Sequence, residues 1–255
     1  MRRTVLVMAA MLAAGGCQGK TADQWLKEKL LPTPTVVHVA RIESNRPDLR
    51  REALETVAKD SSARREPSVV KLFCLVAQTD PDALVRAAAV RGLGLMDGQE
   101  VLAVLGQAAT ADKDAFVRTD AAASLGLQAK PEAVPALAQV LAGDPNSDVR
   151  VAAADALRRI KSKAAAQALV VGLKDSHLAV SERSWESLRY MTGMDLPRQY
   201  GAWEDYLAAS ADPLLGYGSP PAMPKGQNQR PLFTKGPLEF LKELFAKDVR
   251  EAELE

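Results

Sequence analysis

Nucleophilic and metal chemistry draw on cysteine, histidine or serine held beside a base or in ligand spacing, and this chain supplies little of that material. It has two cysteines, Cys17 and Cys74, and two histidines, His38 and His177. His38 falls in an N-terminal tether and His177 in a turn, and no G-x-S-x-G elbow or zinc spacing accompanies either. Cys74 sits in the apolar stretch Val69-Val-Lys-Leu-Phe-Cys-Leu-Val76, where a cysteine behaves as a small buried hydrophobe. Ala14-Gly-Gly-Cys-Gln-Gly-Lys-Thr21 approaches the phosphate loop G-x-x-x-x-G-K-[ST], with alanine for the first glycine. That loop works only where a parallel sheet holds its backbone N–H groups around the phosphates, and no alternation of strands and helices follows here. Paired carboxylates could in principle serve as acid and base, but the recurring aspartates stand where helix caps belong. These residues lead us to expect a non-enzyme with no metal, cofactor or nucleotide. The balanced charge, +1 by formula, leaves no electrostatic footprint for nucleic acid.

The first twenty residues suggest an address. Arg2 and Arg3 form a charged opening, Val5 to Ala14 a short apolar run, and Ala14-Gly-Gly16 small residues just before Cys17. Ten apolar residues are too few for a hydrocarbon core that needs about 20. The stretch resembles a bacterial lipoprotein signal, whose final cysteine is lipidated and becomes the mature N-terminus, although Ala14 stands where that family usually carries leucine. The resemblance implies removal of 1–16, lipidation of Cys17 and anchoring to the cell envelope outside the cytoplasm. Gln18 rather than aspartate follows the cysteine, which in that family permits an outer-membrane destination. An ordinary cleaved signal with an incidental cysteine is the alternative. Signal cleavage before Cys17 would also cut the phosphate-loop look-alike in two.

Residues 17–40 read as a flexible tether. Thr21-Ala-Asp-Gln24 suits a capping box opening a short helix through Leu30, and Pro32 and Pro34 then break it.

What positions everything else is a phrase repeated every 32 residues: Asp80-Pro-Asp-Ala-Leu-Val-Arg86, Asp112-Lys-Asp-Ala-Phe-Val-Arg118 and Asp144-Pro-Asn-Ser-Asp-Val-Arg150. Each runs into an alanine-rich stretch ending in Leu93, Leu125 or Leu157. A fixed period of this length marks stacked units that bury their apolar faces only against neighbours. The apolar residue before each arginine gives anchors at Leu49, Val85, Val117, Val149 and Val180. Five and eight residues after each anchor, further apolar residues (Trp185 and Leu188 in the last unit) complete one helical face. Second apolar helices are predicted at Ser68–Ala77, Glu100–Ala108, Pro131–Leu141 and Ala164–Leu173. Asp82, Asp114 and Asn146 fall where a side chain can cap the free N–H groups of each first helix. The alanine runs let helices approach closely and keep helix propensity high.

The phrase D-x-[DN]-x-x-V-R-x-x-A-A-x-x-L resembles the short HEAT repeats of bacterial proteins, the variety also named after phycobilisome lyases. The resemblance covers about Pro47 to Leu207. It implies an all-α solenoid of about five HEAT-like helical hairpins over 41–209, and a scaffold in preference to a lyase. It also implies an inter-repeat ladder in which Arg50, Arg86, Arg118 and Arg150 meet acidic groups and turn carbonyls. The fifth unit carries Ser181 in that place, so the ladder should end before it. The alternative use of these arginines is an exposed anion-binding stripe.

Leu188-Arg-Tyr-Met-Thr-Gly193 with Trp203-Glu-Asp-Tyr206 resembles the last unit of many exported HEAT-repeat proteins. Five of the twelve aromatic residues lie between Trp185 and Tyr206, enough bulk to close an open apolar end or to form a docking patch. The stretch 210–236 is rich in proline and glycine and reads as a linker. In 237–255 periodicity returns. Phe240, Leu241, Leu244 and Phe245 join Leu238 and Val249 on an amphipathic helix whose other face is charged, three basic against six acidic groups in all. A membrane-surface helix usually has a cationic face, so this stripe is expected either to dock back on the solenoid or to enter a partner's groove.

The whole reads as an envelope-anchored, non-catalytic adaptor that binds a protein or peptide along its solenoid. The second helices should line the binding surface, with Gln78, Gln107, Gln139, Gln167 and Lys174 among its polar positions. An accessory subunit of an enzyme, or a self-associating structural component of the envelope, are the alternatives.

Overall fold

The structure is a computed structural model and describes His38 and residues 41–220. The signal 1–16, Cys17, almost all of the tether, and residues 221–255 with Phe240, Leu241, Leu244 and Phe245 lie outside the described residues. Ten α-helices are described, in pairs: α1 (Pro47–Lys59) and α2 (Pro67–Thr79), α3 (Ala83–Leu93) and α4 (Gln99–Ala111), α5 (Ala115–Gln128) and α6 (Val134–Gly143), α7 (Ser147–Arg159) and α8 (Lys163–Gly172), α9 (Leu178–Thr192) and α10 (Tyr200–Ala209). The first helices α1, α3, α5, α7 and α9 pack side by side in one layer, and the second helices pack side by side in the other. The fold is an all-α solenoid.

The repeat period becomes burial. Val85, Val117, Val149 and Val180 are all 0% exposed, as are Leu93, Leu125, Leu157 and Leu188. Leu49, in the first described unit, stays half-buried. Trp185 departs from the pattern. It is only partly buried, and its indole N–H donates to the Leu196 carbonyl at 2.7 Å. The ring so closes the last unit's edge.

The first-helix layer is held tightly by small residues. A Cβ on Gly126 of α5 would stand 2.8 Å from the Ala156 Cα of α7, a backbone atom that no side-chain rotation can move away. Hydroxyls stitch the same layer: Ser124 donates to the Val90 carbonyl and Ser187 to the Ala154 carbonyl, each at 3.2 Å. Overpacking here costs typically 1–3 kcal/mol. Gly126→Val is therefore expected to lower stability by at least that amount in thermal unfolding, because its branched side chain needs α5 and α7 to part.

Two segments differ from the sequence reading. The second helix expected from Pro131 opens at Val134, with Pro131–Ala133 forming a 3₁₀ turn. Pro135 has no N–H to bond the Pro131 carbonyl, so the α-helical ladder starts one turn later. The opening of the expected linker, 210–220, is packed against the last unit instead. Leu214 is buried, the Tyr217 hydroxyl donates to the Arg158 carbonyl at 2.9 Å, and the Gly218 N–H donates to the Tyr190 carbonyl at 2.9 Å. Gly216 lies against the turn at Gly193 (φ 68°) so closely that a Cβ would meet the Thr192 carbonyl oxygen. Turn-forming residues here build a packed finish for the last unit.

Candidate functional site

Each turn between units divides its polar residues between two tasks. The second position caps the following helix: Asp82 accepts from the Leu84 and Val85 N–H groups at 2.9 and 3.1 Å, Asp114 from Phe116 at 2.9 Å and Asn146 from Asp148 at 2.7 Å. The first position receives an arginine from the unit before. Arg86 Nε and Nη2 donate to the two oxygens of Asp112 at 2.8 Å each, and its Nη1 donates to the Asp80 carbonyl at 2.9 Å. Arg50 meets Asp80, Arg118 meets Asp144 and Arg150 meets Asp175 in the same two-pronged way, at 2.7–3.0 Å. Their Nη1 groups reach the Ser44, Asp112 and Asp144 carbonyls. The row stops at Asp175, and Ser181 donates to the Leu178 carbonyl within its own helix.

These pairs are buried and locked. The Arg86 side chain is 5% exposed and that of Asp112 9%. Burial alone would raise the Asp112 and Asp144 pKa values. The hydrogen bonds from Arg86 and Arg118 and from the N–H two residues on overcome it and hold both carboxyls below the usual range. Arg150 does the same for Asp175, this time as the largest influence. The arginines are thus spent on carboxylates and turn carbonyls, which leaves them poorly placed to hold an external anion.

A pH dependence follows from the direction of these shifts. The folded carboxyls titrate below the unfolded value of about 3.9. Their contribution is therefore fully present above that pH and is lost as pH falls through the folded values. Melting temperature followed by circular dichroism is expected to lose nothing from this source between pH 7 and 5 and to drop steeply below about pH 4.

Cys74 is 3% exposed, and burial pushes its thiol pKa up, so it stays protonated and non-nucleophilic. His177 lies exposed in the turn, its backbone N–H bound to Asp175. Among the described residues no group of three or more His, Cys, Asp or Glu is placed to hold a metal ion.

The second helices carry an open polar surface. Gln78, Gln107, Gln139, Gln167 and Lys174 are all exposed. Gln78 Nε2 donates to Gln107 Oε1 at 3.3 Å across α2 and α4. Between these helices runs a groove of about 350 Å³ with Gln78, Gln107, Val104 and Ala108 in its wall. A second, of about 340 Å³, runs between α4 and α6 beside Gln139, Ala111 and Gly143. A third, of about 410 Å³, lies between α8 and α10, with Gln167, Val170, Val171 and Leu207 in its wall and Tyr200 at its side. Lys174 is drawn onto Tyr200, its Nζ 3.2 Å from the ring centroid. A larger groove of about 610 Å³, near the turn Ala63–Arg65, sets Arg64, Arg65 and Lys71 against Asp97 and Glu100.

The last unit is closed by its aromatics. Trp203 is fully buried, its Nε1 donating to the Pro197 carbonyl at 2.9 Å, with Tyr206 edge-on at 6.4 Å. Tyr190 and Tyr217 meet edge-to-face at 5.4 Å. This spends most of the rings on closure and leaves Tyr200 beside the third groove.

The sequence reading named the capping residues and the arginines but not the carboxylates that receive them. Asp80, Asp112, Asp144 and Asp175 lie 30, 26, 26 and 25 residues beyond their arginines. The signal was the first aspartate of each phrase, which recurs with the same period as the arginine.

A family model described as HEAT repeats matches two overlapping stretches, residues 35–126 and 107–189, together more than half of the chain. The chain belongs to the HEAT-repeat family. The chain is also similar to the crystal structure of an engineered protein at 22% identity and a TM-score of 0.42, over 60% of this chain and 76% of that one. No curated protein matches it.

As a HEAT-repeat protein, the chain has the architecture of a repeat scaffold. Its recurring polar phrase builds that scaffold, and three of its grooves lie between second helices.

Proposed function

We propose that this HEAT-repeat chain is a non-catalytic adaptor that binds a protein or peptide on its second-helix face and is held at the bacterial cell envelope by a lipid on Cys17. One observation carries the binding half: the charged groups of the repeat phrase are consumed in the ladder, while consecutive second helices leave exposed glutamines and open grooves between them. A stacked array with an extended side of this kind recognises partners by shape over many units. Phe240, Leu241, Leu244 and Phe245 are proposed as a second binding element, an apolar helix stripe of the sort that enters a partner's groove.

The anchoring half rests on the sequence around Cys17. No helix among the described residues is long and apolar enough to cross a membrane. In the native host the protein is expected in the membrane fraction, and Cys17→Ala is expected to move it to the soluble fraction or leave it with its signal uncleaved. Wild-type protein found soluble would refute the anchor.

Chemical cross-linking in cells followed by affinity capture tests the binding half, comparing the whole chain with one ending at Gly236. A protein captured by both forms through the second-helix face supports the groove reading, and one captured only by the whole chain assigns recruitment to the stripe. If neither form captures a protein, the adaptor reading fails.

A further inference from the structure

The second-helix face narrows its own partner, on the premise that the adaptor reading above holds. Positions one period apart stand at the same register of successive second helices: Leu75, Gln107, Gln139 and Val171. All four are exposed, the two apolar ends at 56% and 50%. The row is therefore apolar, amide, amide, apolar. Among the residues lining the first two grooves, Arg86, Asp112, Arg118 and Asp144 neutralise one another in the ladder, and Lys113 is the remaining charge. In the third groove Lys163 and Glu204 offset each other over a floor of Val170, Val171 and Leu207. These three grooves, close to neutral, gain little from a charged ligand and would have to desolvate it.

The amide side chains add a specific chemistry. A glutamine offers the same donor and acceptor set as a peptide unit, so one side chain can pair with both the N–H and the C=O of an extended chain. Gln78 and Gln107 already bond to each other with one donor and one acceptor, leaving Gln78 Oε1 and Gln107 Nε2 with capacity for a ligand. The floors between them are small: Ala77, Ala108, Ala111 and Gly143. At Gly143 a Cβ would meet nothing within 4 Å, so a backbone can come close there. Spacing fits as well. Packed helices stand about 8–10 Å apart and an extended chain advances about 3.3 Å per residue, so each second helix meets about every third residue.

We propose that this face takes an extended, uncharged polypeptide segment running across α2, α4 and α6 toward the α8–α10 groove. Gln78, Gln107, Gln139 and Gln167 pair with its backbone. Two apolar side chains about nine residues apart seat at Leu75 and on the Val171–Leu207 floor.

The test uses the full-length chain in detergent and an array of fluorescein-labelled 12-residue peptides built from Ser, Gln and Ala. One set carries two leucines nine residues apart, a second has them replaced by serine, and two more have lysine or glutamate placed between the leucines. Fluorescence polarisation is expected to show binding to the first set, at least tenfold tighter than to the other three. Gln107→Ala with Gln139→Ala is expected to weaken it at least tenfold. Gly143→Phe, which fills open space without touching the core, is expected to abolish it with an unchanged melting curve. The proposal is overturned if no uncharged peptide binds, if charged sets bind as tightly, or if the folded variants bind like wild type. Should that happen while cross-linking in cells still captures a partner through Gln139, the adaptor reading survives and only the extended, uncharged ligand is lost.

Discussion

Asp112→Ala is expected to destabilise the protein by about 3–5 kcal/mol, the cost of leaving a buried charge without its partner. Asp112 joins three successive turns. Its carboxylate takes both arms of Arg86 and the Asp114 N–H, and its carbonyl takes Arg118 at 3.0 Å. The carbonyl bond survives the substitution, whereas the two-pronged bond and the turn bond do not. Since a solenoid is stabilised by nearest-neighbour interfaces, the damage should fall between α3, α4 and α5. We expect the melting temperature to fall by about 10 °C, at roughly 2–4 °C per kcal/mol for a protein of this size. Hydrogen exchange should lose protection first in those helices. Lys130→Ala, which removes a pair to a 95%-exposed Asp97, serves as the control and should leave the curve unchanged, as exposed pairs contribute little. Equal melting for Asp112→Ala and the control would show that the ladder does not couple the units.

Trp203→Ala is the second large effect, expected at about 3–5 kcal/mol from lost burial and the cavity left behind. Its location differs from that of Asp112. Trp203 fastens α10, which packs on α8 and ends the second-helix layer. Loss of the ring should free α10 and then the packed turn carrying Leu214 and Tyr217, while α1 to α6 keep their protection. Hydrogen exchange read by mass spectrometry separates this from a global loss. Uniform deprotection across all ten helices would contradict the view that the aromatics act as an end cap. The third groove includes Tyr200, Leu207 and Ala208 of α10, so the same variant should weaken any ligand seated there.

The repeat period made the core legible before any coordinates. Val85, Val117 and Val149, each one residue before its arginine, and Leu93, Leu125 and Leu157 eight residues later have no exposed surface. Periodicity works here because each unit repeats one packing problem. It could not show that Arg86 reaches Asp112 26 residues on, since that contact depends on how far one unit turns over the next. Nor could it distinguish packed turns from a linker after Ala209. Proline and glycine signal both, and only Leu214 and Tyr217 hinted that this stretch had something to bury. The glutamines were legible as polar positions on the second helices. Their bond across α2 and α4, and the grooves between second helices, arise from the spacing of helices that residue types alone do not specify.

The function asked of this architecture is tested most directly by a photo-cross-linking residue placed in cells at Gln107, at Gln139 or at Glu52, an exposed position on the first-helix layer. The adaptor account expects one and the same protein to be captured from Gln107 and Gln139, not from Glu52, with capture lost when Gly143→Phe fills the neighbouring groove. Capture from Glu52 alone, or none from the two glutamines, would contradict the assignment of the second-helix face as the binding surface.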